Sequence, residues 1–261
     1  MELSTVLGLT LGIAGVGLGM VLKGAHLSSL FNPAAFLIIF VGTIACLLNA
    51  FPLDHIKKIS LLFKKLFNKQ DLMPKSDLLN IFTDLAQVAR REGILALESR
   101  VAEFPDPFMR TGLGMIIDGM DQELVWDVLE AEIHSMEDRH RDGAAIFTQA
   151  GTYAPTLGVL GAVVGLIAAL GNLTDIDKLG HSIAAAFVAT LLGIFTGYVC
   201  WHPFANKLKM LSKREVQLKK MMLEGILSLQ AGNSPTAIET KLMAFLSQSE
   251  RDLIKNKPGE E

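Results

Sequence analysis

A chain of 261 residues with 50% hydrophobic and 20% charged side chains is too apolar for an ordinary soluble domain and too charged for a membrane bundle alone. What remains is a small transmembrane part joined to a large aqueous one. The net charge of −3 leaves Lys and Arg offset by nearby acids and gives no hint of nucleic-acid binding. The two cysteines, Cys46 and Cys200, lie in apolar runs and read as small buried hydrophobes, not as a disulfide framework.

Four long uncharged runs cover residues 3–22, 24–53, 143–174 and 182–201. Each is long enough to cross a hydrocarbon core of roughly 30 Å, which needs about 20 helical residues. None contains a carboxylate, so if the chain moves ions the titrating group must come from elsewhere. The N-terminus places Glu2 where a secretory signal would place basic residues, and the first run reads as a retained transmembrane helix. Lys57, Lys58, Lys64, Lys65 and Lys69 follow the second run, Arg139 and Arg141 precede the third, and Lys207, Lys209, Lys213 and Arg214 follow the fourth. Positive residues favour the cytoplasmic side, so both termini and the insert after the second run are expected there, in a multi-pass membrane protein.

The expected fold is therefore an all-α membrane protein with four transmembrane helices. A large helical cytoplasmic insert separates the second from the third, and helices three and four extend into the cytoplasm. Its parts are residues 1–53 (spans one and two), 54–142 (cytoplasmic helical region), 143–203 (spans three and four) and 204–261 (cytoplasmic helices and a flexible tail). Residues 55–68 alternate Lys with Ile, Leu and Phe, as a helix lying along the membrane surface does. A helix is expected from Asp77 to Glu92, with Gly93 loosening its junction to the segment that runs to Phe104. Asp106 is placed to cap a helix that has Pro107 at its first position. From Gln122 no proline occurs before Pro155, and apolar residues at three-to-four spacing predict a stalk continuous with the third span. The fourth extends past Pro203 until Gly232, and a short helix from about Thr236 to Gln248 precedes the polar tail 255–261.

Pro155 removes a backbone donor early in the third run and favours a kink. Hydroxyls at Thr148, Thr152, Thr156 and Thr196 suit bonds to carbonyls four residues back; Thr190, near mid-span, is the one singled out as an ion-path oxygen. Gly8/Gly12, Gly15/Gly19, Gly161/Gly165 and Gly193/Gly197 are pairs four apart that let helices approach closely. Packing within the chain explains such pairs as well as self-association does, and the two on the first helix favour self-association. An enzyme finds no support: His134 and His140 differ by about 240° around a helix, His181 and His202 sit at membrane boundaries, and there is no phosphate-binding glycine motif. If residues 89–100 were one helix, Arg90 and Glu98 would lie about 80° apart, forming either a solvated face or a docking surface.

The run 145–170, with Gly151-Thr152-Tyr153-Ala154-Pro155-Thr156, and the run 187–198 followed by Trp201-His202-Pro203-Phe204-Ala205, resemble the flagellar stator proteins of the MotA/TolQ/ExbB proton channel family. The resemblance implies a proton-conducting subunit that turns the flagellum, with no cofactor, and H+ as the transported ion rather than Na+, because Ala162 stands where sodium-driven relatives carry a threonine. It implies an ion pathway at Thr190, Pro155, Ala162 and Thr156, conformational coupling at Pro155 and Pro203, and rotor contacts at Arg90 and Glu98, with Arg91 leaving the first open by one position. It further implies a MotB-type partner supplying a transmembrane aspartate, the rotor protein FliG, a homo-oligomeric ring (a pentamer around a MotB dimer), and membrane lipid. The alternatives are an ExbB- or TolQ-like energiser, which has three spans, and a non-conducting scaffold.

Overall fold

The computed structural model describes residues 2–70, 72–101, 103–171 and 173–255; the expected polar tail falls, from 256 onward, outside them. Among the described residues every regular element is helical, and four helices are long and apolar enough to cross a membrane. The chain divides into two compact units, residues 1–70 with 139–210, and 71–138 with 211–261.

In the first unit, α1 is Leu3–Leu22. α2 covers 33–50 and contains a π-helical turn, Leu37–Val41. The second span starts later than the apolar run that announces it. Pro33 occupies the first helical position and Asn32 Oδ1 accepts from Ala35 N at 3.2 Å, so the helix begins where its first free N–H groups are satisfied. It stops at Ala50, because Phe51 precedes Pro52 and is driven into extended backbone, φ −129° and ψ 145°. The single amphipathic helix expected over 55–68 is two pieces, α3 Leu53–Ile56 and α4 Ile59–Phe67. The apolar face of α4 packs on protein: Leu66 is fully buried, and Phe63 lies edge-on to Phe147, Phe204 and Trp201 at 5.1–6.2 Å between ring centres. Cys46 and Cys200 are free and half-buried, less enclosed than expected.

Two long helices run through both units. α8 is Gln122–Leu170, 49 residues unbroken across Pro155, and α9 is Ile176–Gln230, 55 residues with a second π-helical segment at Thr196–Trp201. The fourth span begins six residues before its apolar run, because Asp175 Oδ1 caps it by accepting from Lys178 N at 3.1 Å. Those bonds, the first of them to the Lys178 backbone N–H and the next to its side chain, hold the Asp175 carboxyl below its ordinary value.

The second unit contains α5 Lys75–Glu92, α6 Glu98–Val101, α7 Pro107–Ile117, α10 Pro235–Met243 and α11 Gln248–Lys255 around the inner lengths of α8 and α9. Its core is built of large side chains: Phe82, Leu85, Phe108, Met109, Leu129 and Ile226 are all at most 1% exposed. Asp106 caps α7 as its sequence predicts, accepting from Phe108 N and Met109 N, and it also pairs with Lys219 at 2.7 Å.

Candidate ion path and rotor surface

The third and fourth spans meet along a seam of small residues where backbone touches backbone. A Cβ on Gly158 would stand 2.8 Å from the Ala189 carbonyl oxygen, and one on Gly193 would stand 2.7 Å from the Ala154 oxygen. Gly161 and Gly165 lie close to Ala189 and Ala186 in the same way. Lipid offers no hydrophobic drive for helices to associate, so contact of this closeness is what holds them together. The pairs Gly161/Gly165 and Gly193/Gly197 are thus packing within the chain. On α1, by contrast, Gly8, Gly15 and Gly19 have nothing within 4 Å of a would-be Cβ, and an apolar cavity of about 640 Å³ opens between α1, Leu27–Leu30 and Leu191–Phe195.

The residues singled out for the ion path sit beside this seam. Ala189 faces Gly161, so Thr190 and Ala162, each one residue further along its own antiparallel helix, lie to either side of that contact, about 3 Å apart along the axis, and both are half-buried. Pro155 lies lower: its ring abuts Gly197, whose Cβ would come within 2.6 Å of Pro155 Cγ. Eight residues separate Gly197 from Ala189, about 12 Å of helix rise. Thr156 and Pro203 are exposed, and Pro203 closely follows the π-helical segment. The structure therefore brings Thr190 to within about 3 Å of the level of Ala162, and sets Pro155 and Pro203 toward the stalk end.

The threonines of the third and fourth spans bond back along their own helices. Thr148, Thr152 and Thr156 reach the carbonyls of Ala144, Thr148 and Thr152 at 3.0–3.1 Å, and Thr196 reaches Leu192 at 2.8 Å. Thr190 does so too, which its mid-span singularity did not predict, but its bond to the Ala186 oxygen is stretched to 3.4 Å. An oxygen held that loosely near mid-span is the easiest to turn toward an incoming donor. Among the described residues no group of three His, Cys, Asp or Glu gathers to hold a metal ion.

In the second unit the helix bearing Arg90 ends at Gly93, whose φ of +88° is a conformation that favours glycine. Arg90 and Glu98 therefore do not share one helix. A 3₁₀ turn, Ile94–Leu97, intervenes; Leu97 plugs into the core, Leu95 stays 67% exposed, and Glu98 opens α6. Arg90, Arg91 and Glu98 are all exposed. Arg90 and Arg91 lie in the last turn of α5 and Glu98 in the first turn of α6, the ends their charges favour. α6 is tied to α5 by an ion pair between Arg100 and Asp84.

Sequence reasoning missed both π-helical segments, the Arg100–Asp84 tie, and the contact of His202 with Gly151, where a Cβ would stand 2.8 Å from the imidazole ring. Pro203 was the available signal for the second π segment, since a proline removes the donor that closes the preceding turn.

Comparison with known proteins agrees with this geometry. The model of the MotA/TolQ/ExbB proton channel family matches residues 100–222. Motility protein A of Bacillus subtilis is 53% identical over 96% of this chain and 93% of its own length. Chemotaxis protein PomA of Vibrio alginolyticus is 31% identical over 97% and 98%. The structure of the flagellar MotAB stator complex from Bacillus subtilis superimposes with a TM-score of 0.91 at 52% identity, covering 98% of this chain and 100% of that one. That of C. jejuni MotAB gives 0.90 at 30% identity, covering 95% and 97%. The chain belongs to the MotA/TolQ/ExbB proton channel family and, within it, to the flagellar stator proteins of the motility protein A kind.

Proposed function

We infer that the chain is the ion-conducting stator subunit of a bacterial flagellar motor. The observation that carries this reading is a tightly packed third and fourth span with a loosely bonded Thr190 and no carboxylate of its own. The titrating group is supplied in trans: a MotB-type partner contributes a transmembrane aspartate, which is neutralised near Thr190 and discharged past Pro155. Several copies of this chain, five in our reading, form a ring around a MotB dimer in the bacterial inner membrane, with lipid around it and both termini in the cytoplasm. One charge crossing 100 mV releases about 2.3 kcal/mol, which is available for stepping the ring. Arg90 or Arg91 and Glu98 then meet complementary charges on FliG, a contact that sets register more than affinity. Ala162 offers no oxygen to replace part of a sodium ion's hydration shell, so the ion is H+; swimming that stops when sodium is withdrawn at constant membrane potential would overturn this.

Thr190→Ile is the decisive variant for the path, since it replaces the hydroxyl with apolar carbon while keeping the branch at Cβ. The complex should still assemble with its partner while proton flux falls to background; loss of assembly with flux intact per assembled complex would reject the role. Four spans favour this reading over the three-span ExbB- or TolQ-like energiser.

A further inference from the structure

Besides Thr190 the path has a second group suited to handling a proton, His202. Its imidazole packs directly on Gly151: three ring atoms would stand 2.8–2.9 Å from a Cβ there. Gly151 is also the residue whose carbonyl loses its helical donor, because the donor four residues on belongs to Pro155, which has no N–H. One residue thus gathers a half-buried imidazole without a hydrogen bond among the described residues and a carbonyl oxygen without its regular partner. The backbone around His202 is itself irregular, since its N–H bonds five residues back to Gly197 and Pro203 follows.

Polar and charged groups surround the ring. Tyr198 on its own helix lies 5.3 Å away between ring centres. On α8, Thr148, Thr152 and Tyr153 flank Gly151, and no charged residue occurs from 143 to 170. Lys207 is paired with Glu2 at 3.2 Å. The segment 53–67, packed on the neighbouring Trp201, brings Asp54, His55 and four exposed lysines, of which Lys57 lies 3.9 Å from Asp54. An ionisable side chain at the end of a membrane-spanning helix is a candidate functional group, and histidine is the side chain whose ordinary value, about 6.5, lies nearest neutrality.

We propose that His202 is the proton relay at the inner end of the path; this rests on the ion-conducting reading above. The O–H bond of the partner's protonated carboxyl group, near Thr190, breaks to a water; the proton passes along water over the roughly 18 Å of helix rise to His202, where it forms an N–H bond on the neutral imidazole, leaving carboxylate and imidazolium. The imidazolium then releases that proton to water on the inner side and is neutral again. Gly151 is a positioning residue that seats the ring.

The test is proton flux through vesicles holding the complex of this chain with a MotB-type partner, at fixed membrane potential and fixed pH difference, as inner pH is stepped from about 5.5 to 7.5, a window spanning the ordinary histidine value. The unaltered complex should conduct more as inner pH rises through that window. His202→Gln should be flat across it and about a hundredfold slower at its upper end, the low end of what a positioned acid–base group contributes. Gly151→Ala, which displaces the ring without removing it, should slow flux similarly, and the double variant should be no slower than either, as expected for residues acting as one unit. Imidazole added inside should restore flux to His202→Gln. A flat profile in the unaltered complex, or an assembled His202→Gln complex with the unaltered rate and profile, would overturn the relay. Flux that survives Asp→Asn in the partner would instead overturn the reading beneath it, so the two failures are distinguishable.

Discussion

The two units solve the same problem, packing long helices together, with opposite side chains. Between the third and fourth spans the contacts are Gly158, Gly161, Gly165 and Gly193 set against small residues and backbone, while α1 remains almost uncovered. In the aqueous unit the contacts are Phe82, Phe108, Met109 and Leu129, each at most 1% exposed, and the helix ends are capped and ion-paired. Water drives large apolar groups inward at about 25 cal/mol per Å²; lipid provides no such drive and rewards close backbone approach instead. The difference teaches where each unit is brittle. One fails when a side chain is added, the other when one is removed.

The largest effect is expected from removal in the aqueous unit. Phe82→Ala empties the space beneath Gly225, whose Cβ would lie 2.7 Å from the ring, and should destabilise that unit by about 4 kcal/mol in denaturant melts of the purified protein. Addition in the seam comes next. Gly193→Ala meets backbone atoms at 2.7 and 2.8 Å, which cannot swing aside, and should cost about 3 kcal/mol, read as a lowered midpoint in detergent. The same addition at Gly19, where the space is open, should leave the midpoint unchanged; equal losses at both glycines would refute the seam. Asp106→Ala removes a helix cap together with the Lys219 partner, whose side chain is 13% exposed, and should cost about 2–4 kcal/mol. Smallest is the cap of α11, where Ser247 N donates to Glu250 Oε2 at 2.7 Å and Glu250 N to Ser247 Oγ at 3.4 Å. Ser247→Ala should cost about 1 kcal/mol. The bonds from the Ser247 hydroxyl and then its N–H lower the pKa of Glu250. Its contribution is therefore present above the unfolded value, about 4.3, and fades as pH falls through the lower folded one. Ser247→Ala should flatten stability in that acid range.

The fold was legible where composition alone decides it. Uncharged runs marked the four spans, Asp106-Pro107 marked a helix start, and Gly232, at positive φ, marked a stop. Boundaries shifted where a single capping or proline contact decided them, as at Asn32, Pro52 and Asp175. At the site, Thr190 stood out by isolation in an apolar helix, yet its bond to Ala186 depends on a side-chain torsion that no sequence pattern encodes. The seat of His202 on Gly151 was not legible, because residues far apart in the sequence meet there only when their helices pack. The angular estimate linking Arg90 and Glu98 assumed a helix through Gly93; the glycine's positive φ ends it there.

The central claim is that this chain builds an ion path whose carboxylate another chain supplies. Its most direct test is proton flux into vesicles holding this chain with a MotB-type partner, set against the same partner with its membrane Asp changed to Asn. The account predicts flux with the unaltered partner and none with the Asn variant. No flux from a correctly assembled, unplugged complex under either a proton or a sodium gradient would contradict it and leave a non-conducting scaffold.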